Sequence, residues 1–218
     1  MARILFSRPR HDGTLEYLYQ YSKELVKLSK DLNHNTMNKE NADANKSEVL
    51  KAINGFKPNL IMFNGHGSPE VICGHKNEPI ILFNENPEVL ANTITYSFSC
   101  SSALVLGEEA VKKGAICFIG YEFDFALGKD PDSEAAPSKD KIAKLFMEPS
   151  NLLFKNLLEG TSVKYAVQKA KEMMNENIWY LNTTKSFPEA QHYAPFLFGN
   201  LIGLTSKGDD TSSISCSK

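Results

Sequence analysis

Two apolar runs limit what this chain can fold into more than anything else in it. Asn59 to Ser68 reads Asn-Leu-Ile-Met-Phe-Asn-Gly-His-Gly-Ser, and Thr93 to Ser102 reads Thr-Ile-Thr-Tyr-Ser-Phe-Ser-Cys-Ser-Ser. Each is an apolar, β-branched or aromatic stretch of strand length that stops at small polar residues, as a buried strand of a parallel sheet does at its carboxyl edge. Open α/β sheets place their chemistry along that edge. The first run delivers His66 between Gly65 and Gly67; the second delivers Cys100 ahead of two serines and a helical pattern. A base and a nucleophile at the ends of neighbouring strands is the central expectation.

The rest of the chain supplies strands and helices in the alternation that a parallel sheet requires. Residues 2–6 predict a first strand and 7–13 a loop. Leu18, Tyr21, Leu25, Leu28 and Leu32 then recur at helical spacing. Asn33 to Asn45 is polar and predicts a loop, followed by a short helix capped by Ser47 that ends near Gly55. Val71–Cys73 and Pro79–Phe83 predict a hairpin, 102–113 a helix stopped by Gly114, and Ala115–Tyr121 another buried strand. Between Glu122 and Pro149 the pattern is lost apart from a helical turn at 142–146. Helices over 150–159 and from Thr161, its expected cap, to about Asn177 follow. Ala194–Leu204 predicts a final strand interrupted by Gly199. One domain over 1–205 is expected, with 206–218 a disordered polar tail.

Composition narrows the classes of function. A 42% hydrophobic content suits one core, and a net charge of −2 with scattered basic residues gives no footprint for nucleic acid or an anionic membrane. The first apolar run breaks at Ser7, too short for a secretory signal, and no later run reaches membrane-spanning length. A soluble cytoplasmic protein is expected. Cys73, Cys100, Cys117 and Cys216 have no framework spacing, so a special cysteine is catalytic rather than structural. Cys73 and His75 fall short of a ligand set for zinc, and Gly65-His66-Gly67 lacks the lysine and third glycine of phosphate and dinucleotide loops. Neither a metal nor a cofactor is expected.

Cys100 at a strand-to-helix junction would sit near unpaired N–H groups and a positive helix end, which favours the thiolate. Cys117, inside an apolar run, reads as a small buried hydrophobe. His66 beside Cys100 gives the general base that acyl transfer needs, and the N–H groups of Gly67 and Cys100 are the candidate oxyanion donors. His11, His34 and His192 read as loop or surface residues.

An apolar strand ending in His-Gly (Leu60 to Gly67), followed in order by one ending in Cys (Ile94 to Cys100), resembles the signature of the caspase-like cysteine peptidases of clan CD. The His66-to-Cys100 spacing of 34 residues is shorter than the roughly 50 of caspases, and the Gln-Ala-Cys context is absent. The Gly-His-Gly and Ser-Cys-Ser-Ser forms, with Tyr193 to Asn200 at the close, look nearer the CHAT and gingipain branches. The resemblance implies a three-layer α/β sandwich around a mostly parallel sheet of about six strands. It also implies hydrolysis of peptide bonds in a peptide or protein substrate without a metal, and a charged side chain demanded before the scissile bond. The loop after the first strand, which lines that pocket in the family, carries both signs. Asp12, supported by Glu122 and Asp124, would select Lys or Arg, whereas Arg8 or Arg10 would select Asp. A basic preference is expected. Two other readings stand beside it: a silent caspase-like domain acting as an interaction module, and a flavodoxin-like ligand-binding domain with an incidental histidine and cysteine.

Overall fold

A computed structural model describes residues 1–186 and 189–214, with Pro131 described by its backbone alone; Ser215 to Lys218, Cys216 among them, lie outside the described residues. Six strands form the central sheet: β1 (Arg3–Arg8), β2 (Asn35–Glu40), β3 (Leu60–Asn64), β7 (Ile94–Phe98), β8 (Cys117–Tyr121) and β9 (Leu204–Gly208). A hairpin sheet of β4 (Gly67–Ser68), β5 (Val71–Cys73) and β6 (Pro79–Leu82) intervenes between β3 and β7. Among the described residues the α-helices are α1 (Gly13–Asp31), α2 (Lys46–Phe56), α3 (Leu106–Lys112), α4 (Lys141–Leu158), α5 (Val163–Thr183) and α6 (Ala190–Gly203).

Strand order is β2-β1-β3-β7-β8-β9, parallel throughout except for β9, which runs antiparallel to β8. Side chains alternate across the sheet. Ile4, Phe6, Leu60, Met62, Tyr96, Phe98 and Ile119 enter one core with α1, α4, α5 and α6, whereas Leu5, Ile61, Phe63 and Phe118 enter a second with α2, α3 and the hairpin. Both faces are covered, so the three-layer α/β expectation holds. The chain goes from β1 outward to β2 and returns on the other side of β1 as β3. The order of strands therefore reverses between β1 and β3, and the carboxyl ends flanking such a reversal form the crevice of an open α/β sheet.

Several local expectations are corrected. Asn35 to Glu40, read as loop, forms the edge strand β2 on β1. A polar sequence is acceptable there because only one side of an edge strand is paired, and its Lys39 and Glu40 keep that edge charged. Asn45 rather than Ser47 caps α2, and Ser162 rather than Thr161 caps α5.

The helix expected to start after Pro149 runs instead from Lys141 straight through it. Pro149 withholds the N–H due to the Leu145 carbonyl, and the Asn177 side chain on α5 donates to that carbonyl at 2.8 Å.

The expected final strand at Ala194–Leu204 is helix α6, with the last strand displaced to 204–208. A continuous apolar run carries no period that separates a buried strand from a helix. The tail expected from Ser206 on is ordered in part: Ser206, Lys207 and Gly208 complete β9, and Ile214 is buried in the first core.

Candidate active site

Strands β3 and β7 are adjacent and in register, Asn64 opposite Phe98, so His66 and Cys100 each lie two residues beyond one paired position. Their backbones then converge. A methyl group added at Gly67 would come within 2.9 Å of the Cys100 carbonyl oxygen and 2.8 Å of Ser99 Oγ, and one at Gly65 within 2.2 Å of the Cys73 carbonyl oxygen. The glycines on either side of His66 are therefore needed for close backbone packing against the hairpin and the Cys100 turn.

His66 is half-exposed and its Nε2 lies 2.7 Å from Asp12 Oδ2. Asp12 comes from the loop after β1, across the crevice where the strand order reverses. Its other oxygen accepts from the Leu15 N–H at 2.9 Å and caps α1. Burial pushes the Asp12 carboxyl up, but the Leu15 N–H and His66 outweigh it and hold it below the usual value. With Nε2–H on the carboxylate, His66 Nδ1 is left as the basic nitrogen. His11 sits beside this pair: it accepts the Lys76 N–H on Nδ1 at 3.2 Å and faces Asn77 Oδ1 with Nε2 at 3.2 Å.

Cys100 is not at a helix start. Ser101, with φ of 52°, turns the chain in the left-handed region, and α3 begins only at Leu106. That turn is held by the Ser101 N–H on the Phe123 carbonyl at 3.1 Å and by Ser101 Oγ donating to Asp124 at 2.6 Å. Beneath it the hydroxyls of Ser97, Ser99 and Ser102 form a buried triangle with edges of 2.7, 3.0 and 2.9 Å. The helix end invoked to favour the thiolate is thus absent. Burial pushes the Cys100 thiol above its ordinary value, the Phe125 N–H on the sulfur pulls partly back, and the Asp124 charge pushes it further up. Burial also raises Cys73, and it pushes Cys117, inside β8, up to about 12.

The proposed pocket residues separate sharply. Arg8 is 2% exposed and bonded to Ser22 Oγ, the Tyr19 carbonyl, Asn38 and Glu40, so its guanidinium is spent inside the fold. Arg10 pairs with Glu16 on the surface, and Glu122 pairs with Lys207 at 2.6 Å. Asp12 is committed to His66 and α1. Only Asp124 stands against the Cys100 turn. Among the described residues, no group of three or more His, Cys, Asp or Glu is placed to hold a metal ion, and no helix is long and apolar enough to cross a membrane.

Sequence reasoning missed the Asp12–His66 pair, the serine triangle and the strained Ser101. An aspartate before Gly-Thr reads as a helix cap, which it also is, and nothing local distinguishes a cap that has a second partner 54 residues away.

No family model matches the chain, and no curated protein matches its sequence. Solved structures do match its backbone. The Arg-specific cysteine proteinase gingipain R superposes with a TM-score of 0.63 at 13% identity over 97% of this chain and 47% of that one. A complex of the pro- and mature domains of RgpB from Porphyromonas gingivalis gives 0.60 at 13% identity over 99% and 49%. A third structure, described as a protease, gives 0.53 at 11% identity over 97% and 48%. The chain spans about half the length of these three, and at such identities the likeness is one of fold. By its backbone this chain has the caspase-like α/β fold of gingipain R, a mostly parallel six-stranded sheet with helices on both faces.

Proposed function

We propose that this chain is a cysteine endopeptidase. The observation that carries the reading is the convergence of a carboxylate-anchored imidazole, His66 on Asp12, with Cys100 at abutting ends of β3 and β7. His66 takes the thiol proton as Cys100 Sγ bonds to the peptide carbonyl carbon. The proton passes to the departing amine as the C–N bond breaks, and water, activated by His66, hydrolyses the thioester and restores the thiol. The N–H groups of Gly67 and Cys100 receive the oxyanion. The Cys73 N–H bonds to the His66 carbonyl, which makes Gly67–Ile72 a non-hydrogen-bonded pair of the hairpin and turns the Gly67 N–H away from β5.

A basic residue before the scissile bond is the preference we infer, now resting on Asp124 rather than Asp12; the Arg specificity named for gingipain R supports the same sign. Cys100→Ala is expected to abolish cleavage of Lys- or Arg-containing fluorogenic peptides. His66→Ala should cost a comparable amount, and the double variant no more than either single one. Robust cleavage after Asp alone would move the specificity assignment away from Asp124. The raised Cys100 thiol favours a second reading, a silent domain that binds partners without cleaving them. Absence of turnover across the whole peptide set selects it.

A further inference from the structure

The segment after β8 is pinned along its length. Phe123 and Asp124 hold Ser101, the residue next to Cys100. Next, the buried Asn200 side chain of α6 grips Ala126 in both senses, accepting its N–H at 2.9 Å and donating to its carbonyl at 2.7 Å. Tyr193 then donates its hydroxyl to the Lys129 carbonyl at 3.2 Å. Between these anchors the segment and α6 border an open cavity of about 460 Å³ lined by Leu127, Gly128, Lys129, Glu134, Tyr193 and Phe196. That volume falls in the range of about 300–1,000 Å³ usual for small-molecule pockets.

The lining decides the chemistry of the occupant. Lys129 and Glu134 pair with each other at 3.7 Å, so the rim offers no net charge to a ligand. Leu127, Tyr193 and Phe196 are apolar walls, and Phe196 is 59% exposed although it is a large hydrophobe. Gly128 lets the segment pack directly on the core, because a methyl group there would meet Phe146 at 2.5 Å and Tyr193 at 2.8 Å. Leu127 follows Asp124, which holds Ser101 beside Cys100, by three residues, at most about 10 Å of chain. An extended peptide covers about the same span in three residues.

We propose that this cavity is a substrate subsite that takes one aliphatic or aromatic side chain of a bound peptide, within three residues of the scissile bond. The proposal rests on the peptidase reading for its register, but not for its existence. The test uses fluorescein-labelled peptides with one central Lys and a single varied neighbour. They are measured for binding to the Cys100→Ala protein by anisotropy and for cleavage by the native protein.

At one position, Leu or Phe should bind and be cleaved about 10- to 100-fold better than Asp. Phe196→Glu should erase that preference. Phe198→Glu, which is 52% exposed on the same helix but outside the cavity, should leave it intact. Cleavage with no apolar preference at any scanned position, failure of every apolar peptide to bind Cys100→Ala, or equal losses from both phenylalanine variants overturns the subsite. An apolar binding preference erased by Phe196→Glu, without cleavage by native protein, upholds the subsite and overturns only the peptidase reading.

Discussion

Asp12 caps α1 with one oxygen and holds His66 with the other, and under the proposed mechanism substitutions can separate stability from chemistry. Asparagine caps helices as well as aspartate does, so Asp12→Asn should leave thermal stability nearly unchanged; Asp12→Ala should cost about 1 kcal/mol through the lost cap on α1. Both remove the charge that orients His66, and both are expected to lower kcat by roughly 10²-fold or more. Full activity in Asp12→Asn would leave the residue as a cap alone. Cys100 gives a second test at this scale. Because burial and Asp124 hold its thiol above the ordinary value, its alkylation rate in the free protein should be low at neutral pH and climb through the alkaline range. Asp124→Asn removes the repelling charge while keeping an acceptor for Ser101, so labelling at a fixed pH should accelerate; an unchanged rate profile by mass spectrometry would separate Asp124 from the thiol. Gly67 explains why the neighbourhood tolerates no drift: a side chain there would strike the Cys100 carbonyl, which is backbone and cannot move aside.

At the scale of elements, the passage of α4 through Pro149 depends on one hydrogen bond borrowed from α5. The Leu145 carbonyl that Pro149 leaves unsatisfied is capped by Asn177, so Asn177→Leu should destabilise by about 1–2 kcal/mol. In a Pro149→Ala background the helix supplies its own donor, and the same Asn177→Leu should then cost markedly less. A double-mutant cycle by chemical denaturation measures the difference, and additive effects would deny the link. This element also shows where sequence reading ends. The strands carrying His66 and Cys100 were legible because strand-length apolar runs ending in small polar residues signal a particular place in a sheet. A helix interrupted by proline was not, because its rescue comes from a residue 32 positions away. Strand β2 was hidden by its polarity, and α6 by apolar residues on nearly every side. At the site, the candidate pair His66 and Cys100 could be read from local pattern, whereas the partner of His66 and the left-handed turn after Cys100 exist only once β1, β3, β7 and β8 are side by side.

Over the whole molecule, the sheet that brings those strand ends together also buries ionisable groups in its core, and this sets a boundary on the alkaline side. Cys117 in β8 and Tyr121 at its end are both pushed up to about 12 by burial, from ordinary values of 9.0 and 10.0, and Tyr96 on the neighbouring strand is raised in the same direction. Each is an acid kept neutral by the fold. The unfolded chain therefore releases these protons first, while the folded protein holds them to higher pH. Their contribution to stability is complete below about pH 9 and is lost as pH rises toward 12, with a slope of about 1.4 kcal/mol per pH unit for each group in its own window. Denaturation midpoints measured from pH 8 to 11.5 should accordingly fall, steepening above pH 10 where tyrosine joins cysteine. Tyr121→Phe keeps the ring in the core and removes one of the protons, so its curve should match that of the native protein below pH 9 and fall less steeply above 10. Parallel curves for the two proteins across that range would mean that Tyr121 ionises as readily folded as unfolded, and that the core at the end of β8 is open to water.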